Sequence, residues 1–112
     1  MNIQIYGVEK CFDTKKAERY FKERNIKYQL IDPLKYGLSK REFESVKASV
    51  GLNSLINSEV KAYAALNLDR IRAASLREEI LFKNPVLYRS PIVRNGKLAT
   101  VGYQPEVWKD WV

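Results

Sequence analysis

The opening 31 residues constrain the fold more than any other stretch of this chain. Residues 2–6 alternate polar and apolar, which places Ile3 and Ile5 on one face of a strand, and Gly7 breaks it. From about 14 to 24 the period becomes helical, with Ala17, Tyr20 and Phe21 at spacings of three and four. Asp13 or Thr14 is placed to cap that helix, and Asn25 to stop it. Residues 27–31 then read as a second strand. A strand, a helix and a strand this close together form a βαβ unit: two parallel strands with a right-handed crossover.

The rest of the chain must extend that unit. Asp32-Pro33 ends it, and 34–38 reads as a loop. Ser39 begins a helix with Glu42 at capping-box spacing; Phe43, Val46 and Val50 supply its apolar stripe, and Gly51 terminates it. A second helical stretch is expected at about 58–66 and a third at 75–83, where Ser75 and Glu78 repeat the box spacing. Asn84-Pro85 stops the third. Residues 91–94 and 97–101 are short strands joined by Asn95-Gly96, a strong hairpin signal. Gly102-Tyr103 then turns the chain into a final helix over about 105–112, with Pro105 in its first turn. The order βαβ, helical insertion (about 35–84), ββα predicts an α/β domain over 1–112: a four-stranded mixed sheet with helices on both faces. Tyr20, Phe21, Tyr28, Phe43 and Phe82 have the spacing of core aromatics. Trp108 and Trp111 lie three apart, so one face of the last helix can pack on the sheet.

Cysteine and histidine usage narrows the chemistry. The chain has one cysteine and no histidine, so an internal disulfide and imidazole-based nucleophilic mechanisms are excluded, and a transition-metal site is not expected. A lone cysteine, no signal-like N-terminus and no apolar run near the roughly 20 residues of a bilayer span point to a cytoplasmic protein. The formal charge is +7, yet its lysines and arginines are interleaved with acids rather than gathered in a run. Solvated helix faces and attraction of small anions or acidic partners fit this better than direct nucleic-acid binding.

That leaves Cys11 as the candidate reaction centre. It stands between the first strand and the first helix, where unpaired amide hydrogens and the helix dipole favour an anion. Asp13, Thr14, Lys15 and Lys16 follow within the first turns, and Lys10 precedes. This setting favours the thiolate, the form that attacks disulfides and electrophilic oxyanions. A buried cysteine serving only as a small apolar packing group is the competing reading.

The run Tyr6-Gly7-Val8-Glu9-Lys10-Cys11-Phe12-Asp13-Thr14-Lys15-Lys16-Ala17 resembles the active-site turn of the arsenate reductase/Spx family. There, Tyr-x-x-x-x-Cys is followed by a basic pair and an alanine. Asn84-Pro85, Arg89-Ser90-Pro91-Ile92-Val93 and Val101-Gly102-Tyr103 are similar to the family's later motifs, so the resemblance covers essentially the whole chain. It implies a thioredoxin-like fold, a cis peptide before Pro91 and Cys11 as nucleophile. In the family's reductases, arginines hold the oxyanion. The corresponding places here carry Asn57 and Ser90, with Arg89 and Arg94 as possible substitutes, giving a substrate- or thiol-binding set of Asn57, Arg89, Ser90, Pro91 and Arg94. The family's Spx regulators commonly carry Cys-x-x-Cys, and here Thr14 stands at the second cysteine's place. The single-cysteine YffB-like branch matches best. The implied function is a thiol-dependent oxidoreductase of the arsenate reductase type, acting on a small thiol or oxyanion. It has no bound cofactor, and its electrons come from glutathione or through a glutaredoxin or thioredoxin. The alternative is an Spx-like module binding the RNA polymerase α-subunit without a redox switch; neither needs a membrane.

Overall fold

A computed structural model describes residues 2–111. Four strands, β1 (Ile3–Tyr6), β2 (Tyr28–Ile31), β3 (Ile92–Asn95) and β4 (Leu98–Val101), form one sheet in the order β2-β1-β3-β4. β1 and β2 are parallel, and β1–β3 and β3–β4 are antiparallel. This is the mixed α/β sheet that the sequence order predicts.

Helix α1 (Phe12–Glu23) makes the crossover between β1 and β2. Its end is written locally. Asn25 has φ +57, the Asn25 amide donates to Lys22 O at 3.0 Å, and the Ile26 amide donates to Phe21 O at 2.9 Å. These bonds form a Schellman stop, in which a left-handed Asn lets the chain turn back and satisfy the last carbonyls. Ile26 packs against the cluster that holds Phe21. The start differs from expectation. Neither Asp13 nor Thr14 caps the helix: Cys11 itself occupies the N-cap place, with extended backbone and no capping bond from its side chain.

Alternation along the strands gives the sheet two buried faces. Ile3, Ile5 and Val93 pack on Ala17, Tyr20 and Phe21 of α1 and on Trp108. Tyr6 and Ile92 face the other way, into a larger cluster with Phe43, Val46, Leu55, Leu81 and Leu87. The helices between β2 and β3 supply that second layer.

These helices depart from the expected pattern in places. The stretch 34–38 is not all loop, because Pro33–Tyr36 forms one turn, α2, whose N-cap Asp32 accepts from the Leu34 amide at 2.9 Å. Helix α3 (Lys40–Val50) has the full capping box of Ser39 and Glu42 and ends at Gly51. An unforeseen turn, α4 (Leu52–Leu55), follows, and α5 is confined to Lys61–Ala65. Its late start has a local cause: Asn57 Oδ1 accepts from the Glu59 amide at 3.0 Å, which holds 57–59 in a turn. Helix α6 (Ala74–Lys83) starts at an Ala73 N-cap, so Ser75 is inside the first turn and caps nothing. Glu78 instead pairs with Lys47 of α3.

In the hairpin, Asn95 pairs with Leu98, so the two turn residues are Gly96 and Lys97, one place later than expected. Gly96, at φ +60, takes the position where a two-residue turn with this left-handed first residue favours glycine. The last helix is shorter than expected: α7 (Pro105–Trp108) passes into a 3₁₀ turn, Lys109–Trp111, and Val112 lies outside the described residues. Trp108 is 1% exposed and donates from Nε1 to Thr100 Oγ1 at 2.8 Å. No helix among the described residues is long and apolar enough to cross a membrane.

Candidate functional site

Because Tyr6 pairs with Ile92, the loop leaving β1 and the segment entering β3 meet at one end of the sheet. Cys11 and Ser90-Pro91 come together there. The Cys11 amide donates to Val8 O at 3.1 Å, closing the turn that delivers the thiol to the start of α1. Sγ is partly exposed and lies 3.5 Å from the carbonyl oxygen of Ser90, to which the neutral thiol donates. The Ser90–Pro91 peptide is cis, as the family resemblance implies.

Thr14 ties the two segments together. It is fully buried, and its Oγ1 lies 3.0 Å from Ser90 Oγ, which also accepts from the Val8 amide at 3.2 Å. This closeness depends on Gly7, since a Cβ there would collide with the Thr14 side chain. The sequence offers this position as a helix cap, yet its hydroxyl points across the sheet end to Ser90.

The same donors act on the sulfur. Burial alone pushes the Cys11 thiol up, but hydrogen bonds outweigh it and hold the pKa below its usual value. These bonds belong to the thiolate, and their donors are the hydroxyl and amide of Thr14, the hydroxyl of Ser90 and the amide of Asp13. The two amides are first-turn donors that the helix leaves unpaired. The sequence offers Lys15 and Lys16 as further support for the thiolate. Both are exposed, and Lys16 reaches away to place Nζ 5.7 Å from the ring centre of Tyr103.

The remaining predicted residues do not join the thiol. Asn57 spends its carbonyl oxygen on the turn to Glu59. Arg89 donates from Nε to Ile56 O at 2.9 Å, which directs it toward the helical layer. Arg94 pairs across the strands with Gln4, donating to its Oε1 at 2.9 Å, two residues and about 7 Å along β3 from the strand start. Strand alternation puts it with Ile92 on the face covered by the helices. Among the described residues, no hydrogen bond joins an arginine of the predicted set to Sγ.

Arg94 instead belongs to a polar network that sequence reasoning missed. Tyr6 donates its hydroxyl to Glu42 and approaches Gln4 Oε1 at 3.3 Å. Burial would raise the Glu42 carboxyl, but the Tyr6 hydroxyl and the Ser39 amide and hydroxyl outweigh this and hold it low. The tyrosine of the Tyr-x-x-x-x-Cys motif thus anchors β1 to the capping box of α3 rather than touching the thiol. Phe12 was missed too: it is 79% exposed beside Cys11. Its place off the Ala17, Tyr20, Phe21 stripe was the available signal. Among the described residues, no group of three or more His, Cys, Asp or Glu side chains is placed to hold a metal ion.

Comparison with known proteins bears on the fold and the family. A global transcriptional regulator, Spx 2 of Oceanobacillus iheyensis, is 30% identical over 110 residues, covering 95% of this chain and 80% of that protein. An arsenate reductase structure from Vibrio cholerae superposes with a TM-score of 0.84 at 22% identity, covering 100% of this chain and 98% of that one. A structure titled YFFB protein matches with a TM-score of 0.82 at 19% identity, covering 96% of each chain. At these identities the two structures speak for the fold: a thioredoxin-like sheet with a helical insertion. The model of the ArsC family matches residues 6–111, from the tyrosine that ends β1 through the turn that follows Trp108, and the chain belongs to that family.

Proposed function

We propose that this protein is a thiol–disulfide oxidoreductase whose nucleophile is Cys11 and whose reductant is an external thiol. One observation supports the reading above the others: a partly exposed sulfur at the mouth of α1, favoured as thiolate by Thr14, Ser90 and Asp13, beside the carbonyl that precedes Pro91. In the first step the Cys11 thiolate attacks one sulfur of a substrate disulfide. A Cys11–sulfur bond forms, the original S–S bond breaks, and the departing thiolate takes a proton from solvent. The chain has no second cysteine, so a thiol of the glutathione class, free or delivered through a glutaredoxin or thioredoxin, must attack the mixed disulfide. Cys11 leaves as thiolate, a departure its lowered pKa favours. The bound half is now joined to the external thiol, and a second equivalent of that thiol completes the reduction.

A disulfide suits the site better than arsenate. Tetrahedral oxyanions are best held by convergent arginine forks, whereas Arg89 and Arg94 each turn one nitrogen to Ile56 O and Gln4 Oε1, and neither bonds the thiol. The test is a pH profile of iodoacetamide alkylation on folded protein, followed by exchange with glutathione disulfide. The alkylation midpoint should fall below the free-cysteine value of about 8.5, with a glutathione adduct that Cys11→Ser does not form. A midpoint at or above that value with no adduct would sink the proposal. Glutathione-coupled arsenate reduction should not exceed that of Cys11→Ser.

A second reading has its own support in the 30% identity to Spx 2: a module that docks on the RNA polymerase α-subunit. Thr14 at the second cysteine's place would leave such a module without an internal disulfide switch. Co-purification with isolated α-subunit, equal for the native protein and Cys11→Ser and accompanied by an unreactive thiol, would favour this reading. Both readings imply the cytoplasm.

A further inference from the structure

The flank of α1 that faces Tyr103 forms a groove of about 300 Å³. Lys16, Arg19 and Arg24 supply three cations along it, against the single carboxylate of Glu23. Two of the cations are held in place by aromatic rings. The Arg24 guanidinium lies 3.7 Å from the ring centre of Tyr20 and donates to Tyr20 O at 3.1 Å, and Lys16 Nζ sits over Tyr103. Among the described residues, no carboxylate lies within ion-pairing distance of Lys16, Arg19 or Arg24; the ion pairs of the structure involve other lysines. Positive charge has been gathered and oriented here without being neutralised.

Both walls of this groove lead to the thiol. One wall is α1, where Lys16 stands five residues after Cys11, about 7.5 Å of helical rise. The other begins at Tyr103, next to Gly102, whose amide donates to Pro91 O at 2.8 Å. From Lys16 to Arg24 the helix rises about 12 Å, the reach of roughly four extended residues.

We propose that this groove docks an acidic polypeptide segment, so that the disulfide presented to Cys11 comes from a peptide or protein with carboxylates beside its cysteine. This rests on the thiol-exchange reading and names its substrate class. Charge complementarity selects the occupant: an extended chain with acidic side chains matches three cations along an open groove, whereas a basic segment meets them unpaired.

The experiment uses three short cysteine peptides activated as 2-pyridyl disulfides, with flanking residues all Glu, all Gln or all Lys. Attack by Cys11 releases pyridine-2-thione, which is followed by absorbance, and mass spectrometry confirms the peptide adduct. The acidic peptide should react at least about fivefold faster than the neutral one at low ionic strength, with the basic peptide slowest. Salt at about 0.5 M should shrink that ratio. The double variant Lys16→Gln/Arg19→Gln should bring the acidic-to-neutral ratio close to one. A control with the same loss of charge in the helical insertion, Lys61→Gln/Arg72→Gln, should keep it, which separates the groove from the net charge of +7. Equal rates for the three peptides would overturn the proposal, as would equal losses in the two double variants. Failure of every peptide, the neutral one included, would instead remove the thiol-exchange reading on which it rests.

Discussion

Thr14 shows how much of the site depends on one small side chain. Its hydroxyl holds Ser90 Oγ at 3.0 Å and also lowers the thiol of Cys11, and no solvent reaches it to replace either bond. Thr14→Val keeps the shape and removes the hydroxyl. Alkylation of Cys11 at neutral pH should slow several-fold as its ionisation moves upward, and about 1–2 kcal/mol of stability should be lost because Ser90 is left short of a partner. A pH–rate profile and urea denaturation measure the two effects. An unchanged profile would mean that the first-turn amides suffice for the thiolate. The lowered thiol also makes stability depend on pH in a defined sense. Cys11 ionises at lower pH in the folded chain than in the unfolded one, so the unfolded chain binds more protons between the two values. Relative to Cys11→Ser, the native protein should gain stability as pH rises from the folded value through about 8.5, the unfolded one, and lose it as pH falls through the folded value. Urea midpoints of the pair at about pH 6 and 9.5 would test this; a constant difference would contradict it.

At the scale of an element, α3 and α1 illustrate two ways of starting a helix. α3 has a closed capping box: Ser39 Oγ accepts from the Glu42 amide at 3.1 Å, and Glu42 Oε1 accepts from the Ser39 amide at 2.9 Å. α1 starts with a cysteine whose neutral thiol makes no capping bond, which leaves the first-turn amides of Asp13 and Thr14 to favour its thiolate. The first arrangement commits the free amides to stability, and the second leaves them to favour a negative charge. Ser39→Ala should therefore cost about 1 kcal/mol, read from urea unfolding, with no change in the alkylation rate of Cys11. The box does have one long-range partner, since Glu42 also accepts from Tyr6. Glu42→Ala should cost more than Ser39→Ala, because the buried Tyr6 hydroxyl then keeps only the longer contact to Gln4.

For the molecule as a whole, Trp108 is the piece that joins the ends of the chain. It lies against Tyr20 and Phe21 of α1, with ring centres 5.2 and 5.1 Å away, and bonds Thr100 of β4. The terminal turn thus closes the face of the sheet on which α1 packs. Trp108→Ala should destabilise by about 3–5 kcal/mol, a large part of the 5–15 kcal/mol typical of a domain, and broaden the thermal transition. Trp108→Phe keeps most of the packing and should lose about 1–2 kcal/mol through the unpaired Thr100 hydroxyl. Equal losses in the two variants would place the energy in the hydrogen bond rather than in the packing.

What the sequence determined by itself lies within a few residues along the chain. The Schellman stop at Asn25, the box of Ser39 and Glu42 and the break at Asn84-Pro85 depend on bonds between residues no more than five apart, so they are legible in one dimension. Alternation and helical period also gave the strands and the position of Cys11 at the mouth of α1. The tertiary structure decided what these rules do not reach. It decided that Thr14 turns to Ser90 instead of capping, that Glu78 chooses Lys47 over Ser75, and that Arg89 and Arg94 pair with Ile56 and Gln4 rather than closing on the thiol. A side chain's partner is set by which groups the fold brings within about 3 Å and which of them are still unpaired. That competition is between residues up to 90 positions apart, as Gln4 and Arg94 are, and no local spacing records its outcome.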